Sequence, residues 1–325
     1  RIDAAVQHCS AYRFVGLDSE ELSALRAALL SAAPPHLRGT VLLSTEGINL
    51  RLSGPKEDVQ VFIDSLERIE ARFSALDYRI SFGNRAVLPR FLVKIKKELI
   101  SMGYPEAKAE QTESPAAPLA PAELKKWLDE AQDLILLDTR NTYEIAVGAF
   151  RGARHLEIGT FRAFPEKVQQ AEDLLREAKE SRKAVVMYCT GGIRCEKAAF
   201  AAVAAGFPRE RLYQLQGGIL NYFEQCGGAH YEQDCYVFDD RVAVTSELEP
   251  AGVVLCAGCR DPMRSQKLSS KHARPRCESC LEDGVQRTVI RASRTQSRGS
   301  RKRRRMSRNQ AEASIADAAG PSPPP

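Results

Sequence analysis

The stretch "KAVVMYCTGGIRCEKAAF", residues 183–200, decides how the middle of the chain folds. Val185 and Val186 belong to an apolar run that ends at Tyr188, the pattern of a buried strand. Cys189, two glycines and Arg194 follow, and from Cys195 to Phe200 the alanine-rich sequence reads as a helix. Such a loop gathers backbone N–H groups that have no partner within the helix. Glycines let those amides approach a ligand closely, and the helix dipole adds to the attraction for an anion. A thiol at this position has its thiolate favoured, as would a persulfide anion, so Cys189 is expected to be the reactive nucleophile. Thr190, Gly191, Gly192, Ile193 and Arg194 form the expected cradle. The plainer alternative is a buried cysteine before an ordinary glycine turn. Strand, loop, arginine and helix in one register argue against it.

Working outward, residues 121–226 alternate helix and strand: a helix at 122–129, the strand "LILLD", a helix near Tyr143, a short strand at 155–158, a helix over 165–180, then "AVVMY" and "RLYQLQGG". Alternation of this kind predicts a parallel sheet covered by helices, with ligands beyond the carboxyl ends of its strands. Asp138 and Arg140, at the end of one such strand, are expected to brace the Cys189 loop by hydrogen bonds. Cys195 could pair with Cys189 or simply pack at the helix start.

Residues 1–104 read strand, helix, strand, strand, helix, strand, the α+β ferredoxin-like (acylphosphatase-like) order. The first helix should open at Asp18 with Glu21 as capping-box partner, and the second at Pro55. Arg90, Lys94, Lys96 and Lys97 make the last strand basic, either a solvated face or an RNA-facing one. Residues 105–120, rich in proline, read as a linker.

After "CYVFDDRVAV", read as one strand, Cys256, Cys259, Cys277 and Cys280 give C-x2-C-x17-C-x2-C within residues 227–290. That spacing suits a tetrahedral structural zinc site, a small zinc knuckle. Nine cysteines so arranged point to a reducing compartment rather than to a secreted disulfide framework. Residues 291–325 form an expected disordered tail. Residues 291–308 hold nine Arg or Lys and no acid; without them 38 basic residues face 42 acidic ones, so a mildly acidic body carries a basic tail. The asymmetry suggests an anionic polymer as partner, although "RKRRR" could equally be a nuclear address. No apolar run approaches the ~18–20 residues of a membrane span.

Arg194 follows Cys189 as C-x4-R, one residue shorter than the phosphate loop of cysteine phosphatases and the size of the sulfur-carrying loop of rhodanese domains. "LILLDTRNTYEIAVGAFRGARHLEI", "VVMYCTGGIRCEKA" and "LQGGI" resemble the successive hallmarks of such a domain. With "LLSTEGIN", "FLVKIKKELISMG" and "YVFDDRVAV" around them, they resemble the YceA/TrhO family of bacterial tRNA wobble-uridine hydroxylases. The resemblance implies an α/β rhodanese domain with a central parallel sheet, and a cytoplasmic enzyme acting on the tRNA anticodon loop. It further implies molecular oxygen as co-substrate, 5-hydroxyuridine as product and Cys189 as the persulfide-type active-site residue. A plain sulfurtransferase carrying sulfane sulfur on Cys189, and a non-catalytic RNA-binding module, are the competing readings.

Overall fold

In the computed structural model, residues 6–110, 113–264 and 275–282 are described. The basic tail expected over 291–325 lies outside them. The chain divides into two units, Arg1–Val253 and Val254–Pro325.

The first unit opens with β1 (Val6–Phe14), α1 (Glu21–Ser31), β2 (Arg38–Ser44), β3 (Gly47–Pro55), α2 (Lys56–Ile69), β4 (Arg79–Gly83) and β5 (Phe91–Ile95). The sheet order β4-β1-β3-β2-β5 is the expected ferredoxin-like arrangement with β5 added parallel to β2. Alternation along the strands sends Cys9, Ala11, Val41, Leu43, Ile48, Leu50 and Leu52 into one core with Leu22, Leu25, Leu29, Phe62 and Leu66 of the helices. The other face carries His8, Ser10, Tyr12, Asn49 and Arg51, held in register by the pairs Ser10–Arg51 and Tyr12–Asn49. No helix of this domain covers it, which leaves a polar sheet face to meet something else.

The α1 helix starts later than its sequence suggested. The N-terminal residue is Glu20, without a side-chain cap, because the Asp18 carbonyl instead closes a turn to the Glu21 N–H at 3.1 Å. Pro55 stands just before α2, as expected of a residue with no amide hydrogen to give.

The second domain runs β6 (Ala117–Leu119), α3 (Pro121–Asp129), β7 (Leu134–Asp138), α4 (Thr142–Ile145), β8 (Gly148–Phe150), β9 (Arg154–His155), α5 (Phe164–Gln169), α6 (Glu172–Glu180), β10 (Ala184–Tyr188), α7 (Ile193–Ala204), β11 (Leu212–Leu215) and α8 (Gly218–Cys226). Strands β6-β11-β10-β7-β9 form one parallel sheet, with β10 at its centre. One face packs α5, α6 and α7 through Phe164, Val168, Leu174, Ala198 and Ala202; the other packs α3 and α8 through Leu124, Ile219 and Tyr222. Three local readings change. The stretch read as a linker ends in the edge strand β6, since Ala117–Leu119 pairs with Tyr213–Leu215. The helix expected over 165–180 is two helices broken at Ala171, whose ψ of 56° leaves the helical region. The strand expected at 155–158 is confined to Arg154–His155, because Glu157 takes a positive φ of 51°.

Beyond α8 come β12 (Tyr231–Gln233), β13 (Cys235–Tyr236) and β14 (Ala243–Val244). "CYVFDDRVAV" is therefore a hairpin rather than one strand. Asp239 turns it by pairing with Arg241, and Val242 takes a positive φ of 63°. The second unit has β15 (Val253–Leu255) paired with β16 (Pro262–Arg264), and α9 (Glu278–Glu282).

Candidate active site

Cys189 stands at the carboxyl end of β10 and is fully buried. Its Sγ accepts a hydrogen bond from the Gly192 N–H at 3.0 Å. Burial in itself pushes a thiol pKa up. Here the Cys195 thiol donating to Cys189, the Arg194 guanidinium and the Arg194 and Gly191 amides outweigh burial, and hold Cys189 well below its ordinary value. The Cys195 thiol is pushed up in return by burial and by the neighbouring thiolate. One of the two sulfurs is thus poised as thiolate and the other as its donor.

Two glycines make this shape possible. Gly192 has φ 93°, and a Cβ on it would stand 2.9 Å from the Tyr12 hydroxyl. Gly218 has φ 66°, and a Cβ there would strike the Cys189 and Thr190 carbonyls at 2.4 and 2.7 Å. That close approach lets the first amides of α8 bind the back of the loop, Ile219 N–H to the Cys189 carbonyl at 2.9 Å and Leu220 N–H to that of Thr190 at 3.1 Å. Thr190 Oγ1 donates to the Tyr236 carbonyl at 3.3 Å.

Arg194 lies beside Cys189, buried, but not as a free cation. Glu144 grips it in a bidentate pair at 2.6 and 2.7 Å. Glu144 is itself fixed by a capping box with Asn141 at the start of α4. The sequence offered a signal, the capping-box spacing of Asn141 and Glu144, but nothing in it linked Glu144 to a residue 50 positions on. Asp138 and Arg140 form a second buried pair at 2.6 to 3.1 Å. Arg140 also donates to the Gly148 carbonyl at 2.8 Å and to the Tyr231 hydroxyl at 3.2 Å. The pair ties β7 to β8 and β12 and makes no hydrogen bond to the Cys189 loop.

Helix α7, which the loop feeds, is gripped by the N-terminal domain. Tyr12 donates to Glu196 at 2.7 Å, and burial raises the Glu196 pKa. Lys197, almost wholly buried, lies 2.8 Å from Glu46 and 3.6 Å from Glu98 and donates to the Ile100 carbonyl at 3.4 Å. Glu46 and Glu98 belong to the "STEGIN" and "KKELISMG" stretches, so motifs far apart in sequence serve one joint. A cavity of about 660 Å³ lies between the polar face of the first sheet and the Cys189 loop, walled by Phe238, Asp239 and Arg241. Arg90, Lys94, Lys96 and Lys97 are exposed and do not line it.

In the second unit the Sγ atoms of Cys256, Cys259, Cys277 and Cys280 lie within 4.8 Å of one another. Amides of Gly258 and Cys277 donate to the Cys256 sulfur at 3.3 and 3.2 Å. Four soft donors converging from two turns fit one metal ion.

A cysteine loop at the carboxyl end of a parallel α/β sheet, beside an α+β domain, defines a rhodanese-type protein with an acylphosphatase-like partner domain. Residues 6–99 match the family model described as the UPF0176 acylphosphatase like domain, and residues 120–225 the Rhodanese-like domain. The tRNA uridine(34) hydroxylase of Cupriavidus necator is 42% identical over 273 residues, covering 82% of this chain and 93% of that one. That of Ralstonia nicotianae is 41% identical over 285 residues, covering 85% and 97%. That of Thiobacillus denitrificans is 42% identical over 254 residues, covering 76% and 98%. The chain belongs to the tRNA uridine(34) hydroxylase family.

Proposed function

We propose that this chain hydroxylates the wobble uridine of tRNA at C5, with molecular oxygen as co-substrate and Cys189 as the reactive residue. The observation that carries the reading is a stabilised thiolate at the floor of a cavity whose roof belongs to a second, polar domain. The volume of about 660 Å³ lies in the range of small-ligand pockets, roughly 300 to 1,000 Å³. A base reaches such a pocket only when unstacked, and an anticodon loop offers unpaired bases for that. Cys189 lines that cavity and is the nucleophile available to the presented base, whose C5 acquires one oxygen atom of molecular oxygen. Gly191, Gly192 and Arg194 hold the sulfur's charge, and Asp138 and Arg140 keep the strand ends in place. Residues 1–104 and 121–226 would be the domains that share the site.

Cys256, Cys259, Cys277 and Cys280 would hold a structural zinc ion with no open position, which stabilises its own turns and leaves the chemistry to Cys189. Nine free thiols suit a cytoplasmic enzyme. Mass spectrometry of tRNA nucleosides from a deletion strain carrying wild-type or Cys189→Ser chain is the test. 5-Hydroxyuridine should return with the first and not with the second. Its return with both would remove Cys189 from the reaction. Loss of 2-thiouridine instead would favour sulfur transfer.

A further inference from the structure

Five arginines line the cavity: Arg13, Arg51, Arg79, Arg194 and Arg241. Four are already satisfied. Arg13 donates to the carbonyls of Arg72, Ser74 and Ala75, Arg79 pairs with Asp77, Arg194 with Glu144 and Arg241 with Asp239. Arg51 is the exception. Among the described residues its hydrogen bond is one long contact, Nη1 to the Phe238 carbonyl at 3.4 Å. Its guanidinium lies over the Phe238 ring, 5.0 Å from the centroid, and Arg194 lies 5.6 Å from the same centroid. Phe238 thus fixes the position of Arg51 without neutralising it. The carboxylate nearest to hand, Asp239, is engaged by Nε and Nη2 of Arg241 at 3.0 and 2.7 Å.

A half-buried guanidinium with a single long hydrogen bond keeps most of its fixed fork of donors free, and that fork matches oxyanions. Burial lowers the Arg51 pKa. The anion an RNA brings is its phosphodiester; the uracil ring is neutral. We propose that Arg51 binds a backbone phosphate flanking the nucleotide presented to Cys189, so that the N-terminal domain supplies the phosphate subsite of a pocket whose reactive group lies in the rhodanese domain. The assignment rests on the tRNA reading above.

A binding cycle tests it. Anticodon stem-loop RNAs with a neutral methylphosphonate on the 5′ or the 3′ side of the target uridine are titrated against full-length wild type and Arg51→Gln. One of the two methylphosphonates should weaken wild-type binding about tenfold, the worth of a charged hydrogen bond, and should leave Arg51→Gln binding unchanged. Arg51→Lys, which keeps the charge, should still lose affinity with that methylphosphonate, though less than wild type; Arg51→Met, which keeps the side-chain length without the charge, replaces the Gln variant if thermal melting shows that one unfolded. Losses that add independently at both positions would overturn the phosphate assignment while leaving the function intact. Failure of wild type to bind any stem-loop would overturn both.

Discussion

Cys189 and Cys256 are both buried thiols near a backbone N–H that points at the sulfur, at 3.0 Å and 3.2 to 3.3 Å. Their surroundings differ in kind. Around Cys189 stand donors of two chemistries, a guanidinium and a second thiol, and a cavity on one side. Around Cys256 stand three more sulfurs within 4.8 Å. A lone thiolate beside a cavity keeps its lone pairs for a substrate. Four converging sulfurs are placed to spend theirs on one shared metal ion. Amide hydrogen bonds alone therefore do not make a cysteine reactive; what fills the remaining directions decides.

The comparison can be broken most sharply at Cys189. Cys189→Ser should abolish uridine hydroxylation with no loss of fold, because it removes one soft nucleophile and little volume. Retained modification, read by nucleoside mass spectrometry, would show that the two cysteines differ only in neighbours. Glu144→Gln comes next. It leaves the Arg194 cation buried without its bidentate partner, which costs about 3–5 kcal/mol, and thermal or urea unfolding should record it. A loss below ~1 kcal/mol would mean that solvent reaches the pair.

At the other cysteine site, Cys256→Ser or a strong chelator should take the metal content from about one zinc per chain to none while tRNA modification persists in the intact first unit. Elemental analysis and an activity assay on the same sample read both. Abolished activity would make the cluster part of the site. The smallest effect sharpens the contrast within the loop. Cys195→Ala removes a donor from the Cys189 thiolate, so the Cys189 pKa should rise. In wild type the iodoacetamide rate should stay level through neutral pH and fall only in acid, as the thiolate is protonated. In the variant that fall should begin at higher pH. Superimposed profiles would leave the charge to Arg194 and the amides.

The Cys189 loop could be read from sequence because its parts are local: thiol, glycines and arginine lie within six consecutive positions directly after the strand. The four metal-type cysteines were legible by spacing for the same reason. Glu144, Tyr12, Glu196 and Lys197 were not, because each works through a partner 50 to 184 residues away. Arg51 was hidden differently. It is one polar residue among several on an alternating strand, and only its single long hydrogen bond, a property of the folded surroundings, distinguishes it from the other arginines of the cavity, which are held by carboxylates or by three backbone carbonyls. The break at Ala171 and the hairpin at Asp239 were missed because helix spacing and β-branched content continue through them.

Lys197 acts as a latch between the two domains of the first unit. An ammonium almost wholly out of water can be tolerated only beside Glu46 and Glu98, and both belong to the first hundred residues. A rhodanese segment cut free of them would return the Lys197 ammonium to water and lose the ion pairs that join it to the first domain. Removing the charge of either glutamate should therefore loosen the joint between the domains before it disturbs the core of either one.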